Sequence, residues 1–163
     1  MADHQLERTD GLEQALALAY RYIDRRERTV SEVRRYLQAK ELDDSTIDET
    51  VSNLLALGAL DDARFARVFA EDKLELEQWG ADRIRRSLSS RGVDQDLIEA
   101  ELRDQSADSE LARAVAVLGR RFPEPPRDRR ERDRALGVLL RKGYDSDTSV
   151  EAIGAYARAS AES

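Results

Sequence analysis

Apolar and polar positions along the chain follow the period of an α-helix and not that of a β-strand. Apolar residues recur three and four positions apart, as at Ile47, Val51 and Leu54, which places them on one stripe of a helix. No segment alternates with period two for long enough to build a sheet. The pattern therefore predicts an all-α protein, with longer helices over 12–24, 62–78 and 109–121.

One sequence pattern occurs three times at a spacing of 51 residues. It consists of an apolar residue, three spacers, a leucine, two spacers, a base, a glycine, an apolar residue and an aspartate. The glycine after the base is Gly92 in the second copy and Gly143 in the third, but Glu41 in the first. The third copy is the least regular, because Ala135 replaces the first apolar residue and Ser149 falls on a later apolar position, with Val150 beside it.

The repeat predicts three units of three helices each. Such short units are marginal alone and bury their apolar faces against one another when stacked. We therefore expect a tandem array of three three-helix repeats that is elongated and curved. The expected boundaries are a disordered tail at 1–10, repeats at 11–59, 60–105 and 106–158, a proline-rich break at 122–126 within the third repeat, and a tail at 159–163.

Residues at the predicted helix ends have the side chains that usually stabilise such ends. Thr29 and Glu32 are spaced as a capping box. Asp44 or Ser45 is expected to cap the next helix, and Gly58 to end it with a positive φ.

Composition narrows the classes of protein further. Of the 163 residues, 40% are hydrophobic and 37% charged, which suits several small cores better than a single large one. The net charge of −7 argues against extensive coating of nucleic acid. Charge is unevenly spread, however: 41–77 has eleven acids and three bases, whereas 120–142 has nine bases and four acids. One part could thus face a basic partner and another an acidic one.

Neither export nor catalysis is indicated by the sequence. There is no cysteine, the first residues lack a signal-peptide pattern, and no apolar run is long enough to span a bilayer. We expect a cytoplasmic protein without membrane contact. The only histidine, His4, has no ligand set nearby, and neither a phosphate-binding loop nor a nucleophile elbow is present. We therefore predict no catalytic residue, no metal ligand and no cofactor, and a protein that is not an enzyme.

Arginines recur at equivalent positions beside the predicted core of the first two repeats. A solvated helix face would explain each of them singly, whereas their recurrence favours a shared outward surface. A helix-turn-helix reader would also need polar base-reading side chains, of which we find no cluster. The candidate partner-binding residues are Arg34, Arg35, Arg83, Arg85 and Arg86.

The segment 54–88 has the pattern Leu-x-x-Leu-Gly-x-Leu-Asp-Asp, followed by Arg-Phe-Ala and later by a glycine before a helix that ends in Arg-Gly-Val. In this pattern it resembles the RecX family of bacterial recombination regulators. The resemblance extends over about 12–156, with Glu41 in place of the usual glycine and Asp61 in place of a common asparagine. We interpret the residues of this motif as helix caps, turn glycines and core side chains. They are therefore predicted to be structural scaffold: Leu57, Gly58, Leu60, Asp61, Asp62, Phe65, Ala66, Gly80, Leu88 and Gly92.

The resemblance implies a specific function. RecX-like proteins bind the RecA recombinase filament on single-stranded DNA, lie in its helical groove and inhibit filament extension, ATP hydrolysis, strand exchange and the SOS response. Contact with single-stranded DNA is expected mainly through RecA, and the protein is expected to be a monomer. The alternative is a direct DNA-binding helical module that uses the arginine-rich helix faces.

Overall fold

The described part of the chain is helical throughout. A computed structural model describes the backbone of residues 2–162 and the side chains of residues 7–162. Within that part there are nine helices and no strand, so the all-α prediction is confirmed. The helices are α1 (Ala2–Asp24), α2 (Val30–Ala39), α3 (Asp44–Ala56), α4 (Asp62–Glu75), α5 (Ala81–Ser90), α6 (Gln95–Leu102), α7 (Ala107–Arg121), α8 (Arg129–Lys142) and α9 (Ser146–Ala161).

The residues group into two compact units. The N-terminal unit comprises Met1–Ala66 and Ser89–Leu97, and α1 packs in it against α2 and α3. The C-terminal unit comprises Arg67–Leu88 and Ile98–Ser163, and α7 packs in it against α8 and α9. These units do not coincide with the three predicted repeats, whose boundaries stay a prediction.

Each unit has an apolar core built from the predicted helix stripes. Burying such side chains removes apolar surface from water and stabilises the fold. In the N-terminal unit the buried cluster is Ala19, Val33, Leu37, Ile47, Val51, Leu54 and Leu60. In the C-terminal unit it is Ala114, Val117, Leu118, Ala135, Leu139, Tyr144 and Ala152.

The third copy of the repeat keeps its register despite its irregular sequence. Ala135 and Ser149 are fully buried at the positions where the other copies place larger apolar side chains. Val150, which neighbours the repeat position, remains 61% exposed. The position of a residue on the helix face therefore decides whether its side chain is buried. Val150 stays exposed although it is apolar.

Of the helix starts predicted from side-chain chemistry, that of α2 is present and that of α3 is shifted. The capping box is confirmed: the Thr29 hydroxyl accepts from the backbone N–H of Glu32, and the Glu32 carboxylate accepts from that of Thr29. The cap of α3 is Asp43 and not Asp44 or Ser45, because the Asp43 carboxylate accepts from the backbone N–H of Thr46 at 2.9 Å.

Helix lengths differ from the predicted ones at several ends. Helix α1 begins at Ala2, inside the segment 1–10 that was predicted to be a disordered tail. Helix α9 continues to Ala161, inside the tail predicted at 159–163. Helix α4 ends at Glu75, because the chain takes a positive φ of 52° at Gln78. Met1 and Ser163 lie outside the described residues.

The repeated position after the base has a left-handed backbone in all three copies. The φ values are 61° at Glu41, 80° at Gly92 and 97° at Gly143, so the first copy keeps the conformation without the glycine. Gly58 also has the positive φ that was predicted for it, 70°. A side chain in this region is strained because its Cβ crowds the following carbonyl oxygen.

Replacing Glu41 by glycine is expected to stabilise the protein. Relief of the left-handed strain contributes about 1–2 kcal/mol, and the greater freedom of glycine in the unfolded chain removes roughly half of that. We expect the free energy of unfolding to rise by about 1 kcal/mol, measured by denaturant unfolding. Glu41→Ala is the control, because it removes the same side chain and keeps the strain. A glycine variant no more stable than the alanine variant would contradict the prediction.

Candidate partner-binding surface

In the N-terminal unit, the start of α2 is held by residues that are distant in sequence. The Thr29 hydroxyl donates to the backbone carbonyl of Arg91 at 2.7 Å, and the Val30 N–H donates to the Asp62 carboxylate at 2.9 Å. The Arg91 guanidinium binds both carboxylate oxygens of Glu32, at 2.9 and 3.2 Å, and stacks over the Phe65 ring. Of the two neighbouring aspartates, Asp61 accepts from the Arg64 N–H at the start of α4, whereas Asp62 accepts from the first N–H of α2, beside the Thr29 cap.

The charge of Glu32 is stabilised despite its partial burial. Burial raises the pKa of Glu32, but hydrogen bonds from Arg91 and from the Thr29 N–H outweigh it, so that the pKa lies below its ordinary value. The opposite holds for Asp62: burial raises its pKa, and the hydrogen bond from Val30 only partly offsets this. The two carboxylates therefore respond differently to acid although they hold the same helix start.

In the C-terminal unit, the start of α5, 51 residues after that of α2, is held by similar contacts. The Gly80 N–H donates to the Lys142 carbonyl at 2.8 Å, at the position where the Thr29 hydroxyl donates to the Arg91 carbonyl. The Ala81 N–H donates to the Glu110 carboxylate at 2.9 Å, as Val30 does to Asp62. Gly80 lies so close to Gly143 that a Cβ on Gly80 would come within 2.3 Å of the Gly143 backbone. Glycine is thus required here by packing.

A buried tyrosine supports the same region. Tyr144 is only 2% exposed, and its hydroxyl donates to the Gln78 carbonyl at 2.8 Å. Burial raises the pKa of Tyr144 to about 12. The phenol therefore stays protonated near neutral pH and fixes the turn that precedes α5.

Two of the five candidate arginines form ion pairs inside their own units. Arg34 on α2 binds Asp48 on α3 at 2.6 Å. Arg85 on α5 binds Glu99 on α6 at 2.6 Å, and it also binds Asp82 at 2.7 Å. The Glu99 hydrogen bond raises the pKa of Arg85. Since both pairs join residues 14 apart and are themselves 51 apart, the recurrence of these arginines has a structural explanation.

Arg83 is also engaged within its unit. Its guanidinium lies 3.9 Å from the centre of the Trp79 ring and donates to the Arg141 carbonyl at 3.2 Å. Trp79 is half-buried and meets the Phe69 ring edge-on. Trp79 is therefore a packing residue of the turn before α5.

Arg35 and Arg86 are the two candidates with free head groups. Both are exposed, and neither makes a side-chain hydrogen bond or ion pair within the described part of the chain. They occupy equivalent positions, one residue after Arg34 and Arg85 in their helices. Of the candidate arginines, they are best placed to bind a partner.

The scaffold prediction fits most of the residues to which it was applied. Leu60, Phe65, Ala66 and Leu88 are buried. Leu57 differs, because it caps the end of α3 with its side chain 71% exposed. Leu57 therefore has a helix-end position with an exposed apolar side chain, and its assignment as scaffold stays a prediction.

Sequence reasoning missed one basic site. Arg120, Arg121, Arg141 and Lys142 line a single cleft in the C-terminal unit, although they are separated by up to 22 positions in the sequence. The excess of bases over 120–142 was the available signal. Among the described helices, none is long and apolar enough to cross a membrane.

Comparison with known proteins identifies the class and then the family. The helical repeat architecture is that of a protein with tandem three-helix domains. The family model described as RecX, first three-helix domain, matches residues 15–54, and the RecX second three-helix domain matches residues 61–102. A regulatory protein RecX from Halorhodospira halophila is 38% identical over 130 residues, which cover 79% of this chain and 80% of that protein. The chain therefore belongs to the RecX family of regulatory proteins.

Other relatives differ in how much of their length is matched. A regulatory protein RecX from Deinococcus radiodurans is 33% identical, over 84% of this chain and 65% of that protein. One from Lactobacillus delbrueckii is 44% identical over 87 residues, which cover 53% of this chain and only 32% of that protein. The crystal structure of RecX from Lactobacillus salivarius superposes with a TM-score of 0.79 over 91% of this chain and 97% of that one, at 20% identity, which supports the fold.

Proposed function

We propose that the protein is a negative modulator of the RecA recombinase. It binds in the groove of the RecA filament on single-stranded DNA and inhibits filament extension, ATP hydrolysis and strand exchange. The observation that carries the proposal is membership of the RecX family, whose members are regulatory proteins. In this proposal the protein acts in the cytoplasm as a monomer, takes part in DNA repair, recombination and the SOS response, and does not act as an enzyme.

The exposed arginines Arg35 and Arg86 are the binding residues we propose first. They have no internal ion pair to break on binding, so that their charge is available to carboxylates or phosphates of the filament. Leu57 adds an exposed apolar contact. Arg34, Arg83 and Arg85 contribute less directly in this proposal, because their head groups already bind groups of their own unit.

The test is RecA-catalysed ATP hydrolysis on single-stranded DNA at increasing amounts of the protein. The natural sequence is expected to inhibit at substoichiometric to equimolar amounts. Loss of two charged contacts in Arg35→Glu/Arg86→Glu is expected to raise the amount needed by about tenfold. Arg129→Glu/Arg130→Glu, with the same charge change on exposed residues of α8, is the matched control.

Two results would count against this proposal in different ways. An unchanged RecA activity with the natural sequence would refute the proposed function. Equal inhibition by the natural and the Arg35→Glu/Arg86→Glu proteins would refute only the assigned surface. Tight binding of the protein to bare DNA, with a steep dependence on salt and without RecA, would favour a direct DNA-binding module.

A further inference from the structure

A basic cleft of about 610 Å³ lies within the C-terminal unit. We call it the α7–α8 cleft, because the C-terminal turns of these two helices form much of its wall. The turn after α4 and the first half of α5 complete it. It is lined by Leu76, Glu77, Gln78, Arg83, Val117, Arg120, Arg121, Val138, Arg141 and Lys142.

The charge of this cleft is opposite to that of the chain. Five cationic side chains line it against a single carboxylate, whereas the whole protein has a net charge of −7. The carboxylate is Glu77, which binds Lys73 at 2.7 Å, and that hydrogen bond lowers the pKa of Glu77. Glu77 binds Lys73, which lies outside the cleft lining, and also interacts electrostatically with Lys142 and Arg83. One carboxylate against five cations leaves the cleft with an excess of positive charge.

Three of the five cations have no acidic partner within the described residues, and Glu77 interacts electrostatically with the other two, Lys142 and Arg83. Lys142 donates to the backbone carbonyl of Glu77 at 2.7 Å, and Arg83 to that of Arg141 at 3.2 Å; both acceptors are uncharged amides. Arg120, Arg121 and Arg141 are exposed and make no ion pair within the part of the chain that the structure describes. The cleft therefore presents charge that a ligand could pair with.

Helix dipoles explain only part of this arrangement. Bases in the last turn of a helix interact favourably with its C-terminal partial charge, typically by 0.3–1 kcal/mol each. This accounts for Arg120 and Arg121 on α7, and for Arg141 and Lys142 on α8, taken singly. It does not account for the convergence of both helix ends, together with Arg83 from α5, on one concave surface.

The apolar side chains of the cleft indicate which kind of anion it suits. Leu76, Val117 and Val138 are all aliphatic, and Leu76 is 77% exposed. Sites for single-stranded nucleic acid combine basic grooves with aromatic rings on which bases stack. The lining described here contains no aromatic ring, and the nearby Trp79 is covered by Arg83. Aliphatic contacts beside cations match a peptide with both leucine-like and acidic side chains.

We propose that the α7–α8 cleft binds an acidic segment of a partner protein. An aliphatic side chain of that segment packs on Leu76 and Val138, and its carboxylates pair with Arg120, Arg121 and Arg141. The pairing uses charge-assisted hydrogen bonds, which guanidinium groups make with two oxygens at once. This inference does not depend on the proposed function, because it concerns the C-terminal unit and a peptide ligand alone.

The experiment measures binding of the full-length protein to a short fluorescent peptide of alternating glutamate and leucine, by anisotropy at low salt. Replacing the leucines by glycine, or the glutamates by lysine, is expected to weaken binding by about tenfold or more, because each change removes one kind of contact. Arg120→Gln/Arg121→Gln is expected to weaken binding of the original peptide by about tenfold. Arg129→Gln/Arg130→Gln removes the same charge from exposed residues outside the cleft. It is expected to change the affinity for the original peptide less than twofold.

Three outcomes would overturn the proposal. The first is that Arg120→Gln/Arg121→Gln and Arg129→Gln/Arg130→Gln weaken peptide binding equally, which would indicate general charge attraction. The second is equal binding of the glycine and leucine peptides, which excludes the aliphatic contact. The third is tighter binding of an oligothymidylate than of the peptide, lost in Arg120→Gln/Arg121→Gln, which would make the cleft a nucleic-acid site. Unchanged unfolding curves of both variants exclude a folding defect as the cause of any loss.

Discussion

Replacing Gly80 by alanine is expected to lower the free energy of unfolding by about 3 kcal/mol, at the upper end of typical overpacking costs. An added Cβ would come within 2.3 Å of the carbonyl carbon and oxygen of Gly143. Both are backbone atoms, and neither can turn aside as the end of a flexible side chain could. The backbone would have to move apart to make room, which would lengthen the hydrogen bond from the Gly80 N–H to the Lys142 carbonyl.

Gly119→Ala is the matched control for this prediction. Gly119 lies inside α7, and an added Cβ would meet only the Tyr156 ring at an ordinary 3.9 Å. Since alanine is favoured over glycine in helices by about 0.5–1 kcal/mol, this variant should be more stable than the natural protein. Denaturant unfolding with an unchanged m-value measures both changes. A Gly80→Ala protein as stable as the control would show that the backbone contact tolerates a methyl group.

Replacing Arg91 by methionine is the second change for which we expect a large effect. Methionine keeps much of the aliphatic bulk, but Glu32, whose side chain is only 12% exposed, then loses both hydrogen bonds from the guanidinium. Hydrogen bonds to charged groups contribute roughly 1.5–3 kcal/mol, and we expect a loss of about 2 kcal/mol at neutral pH. Arg34→Met is the control, since its pair with Asp48 is exposed and should contribute less than about 1 kcal/mol.

The effect of Arg91→Met should depend on pH in a defined direction. The pKa of Glu32 in the folded protein lies below its ordinary 4.5, so the folded state binds this proton less tightly than the unfolded chain does. The resulting stability is complete above pH 4.5 and is lost as the pH falls through the folded pKa. The stability difference between the natural and Arg91→Met proteins should therefore shrink on acidification. A difference that grows below pH 4.5 would contradict the role assigned to the pair.

Local features of the fold were predicted well because they depend on neighbours in the sequence. The capping box at Thr29, the positive φ at Gly58 and the buried stripe through Ile47, Val51 and Leu54 follow from side-chain chemistry and helical period. The 51-residue spacing also located the equivalent helices. The prediction failed where sequence pattern gives several adjacent choices, as at the cap of α3.

The candidate site was predicted less well, because the sequence does not show which arginine of a run forms an ion pair within the protein. Arg34 and Arg35 are neighbours in sequence, yet the first binds Asp48 and the second faces solvent. Leu57 belongs to a motif that looked like scaffold but is exposed. Such differences depend on which side of a helix faces another helix, and on residues far away in the chain.

The sequence by itself determined that this protein is all-helical, that it repeats every 51 residues and that it resembles the RecX family, since helical period, caps and motif spacing are local properties. Only the tertiary structure decided that Asp62 accepts from the first N–H of α2, that Gly80 must lie against Gly143, and that the bases of 120–142 converge in one cleft. Each of these joins residues more than 20 positions apart. Contacts at such separations are set by how the helices pack, which no stretch of neighbouring residues specifies.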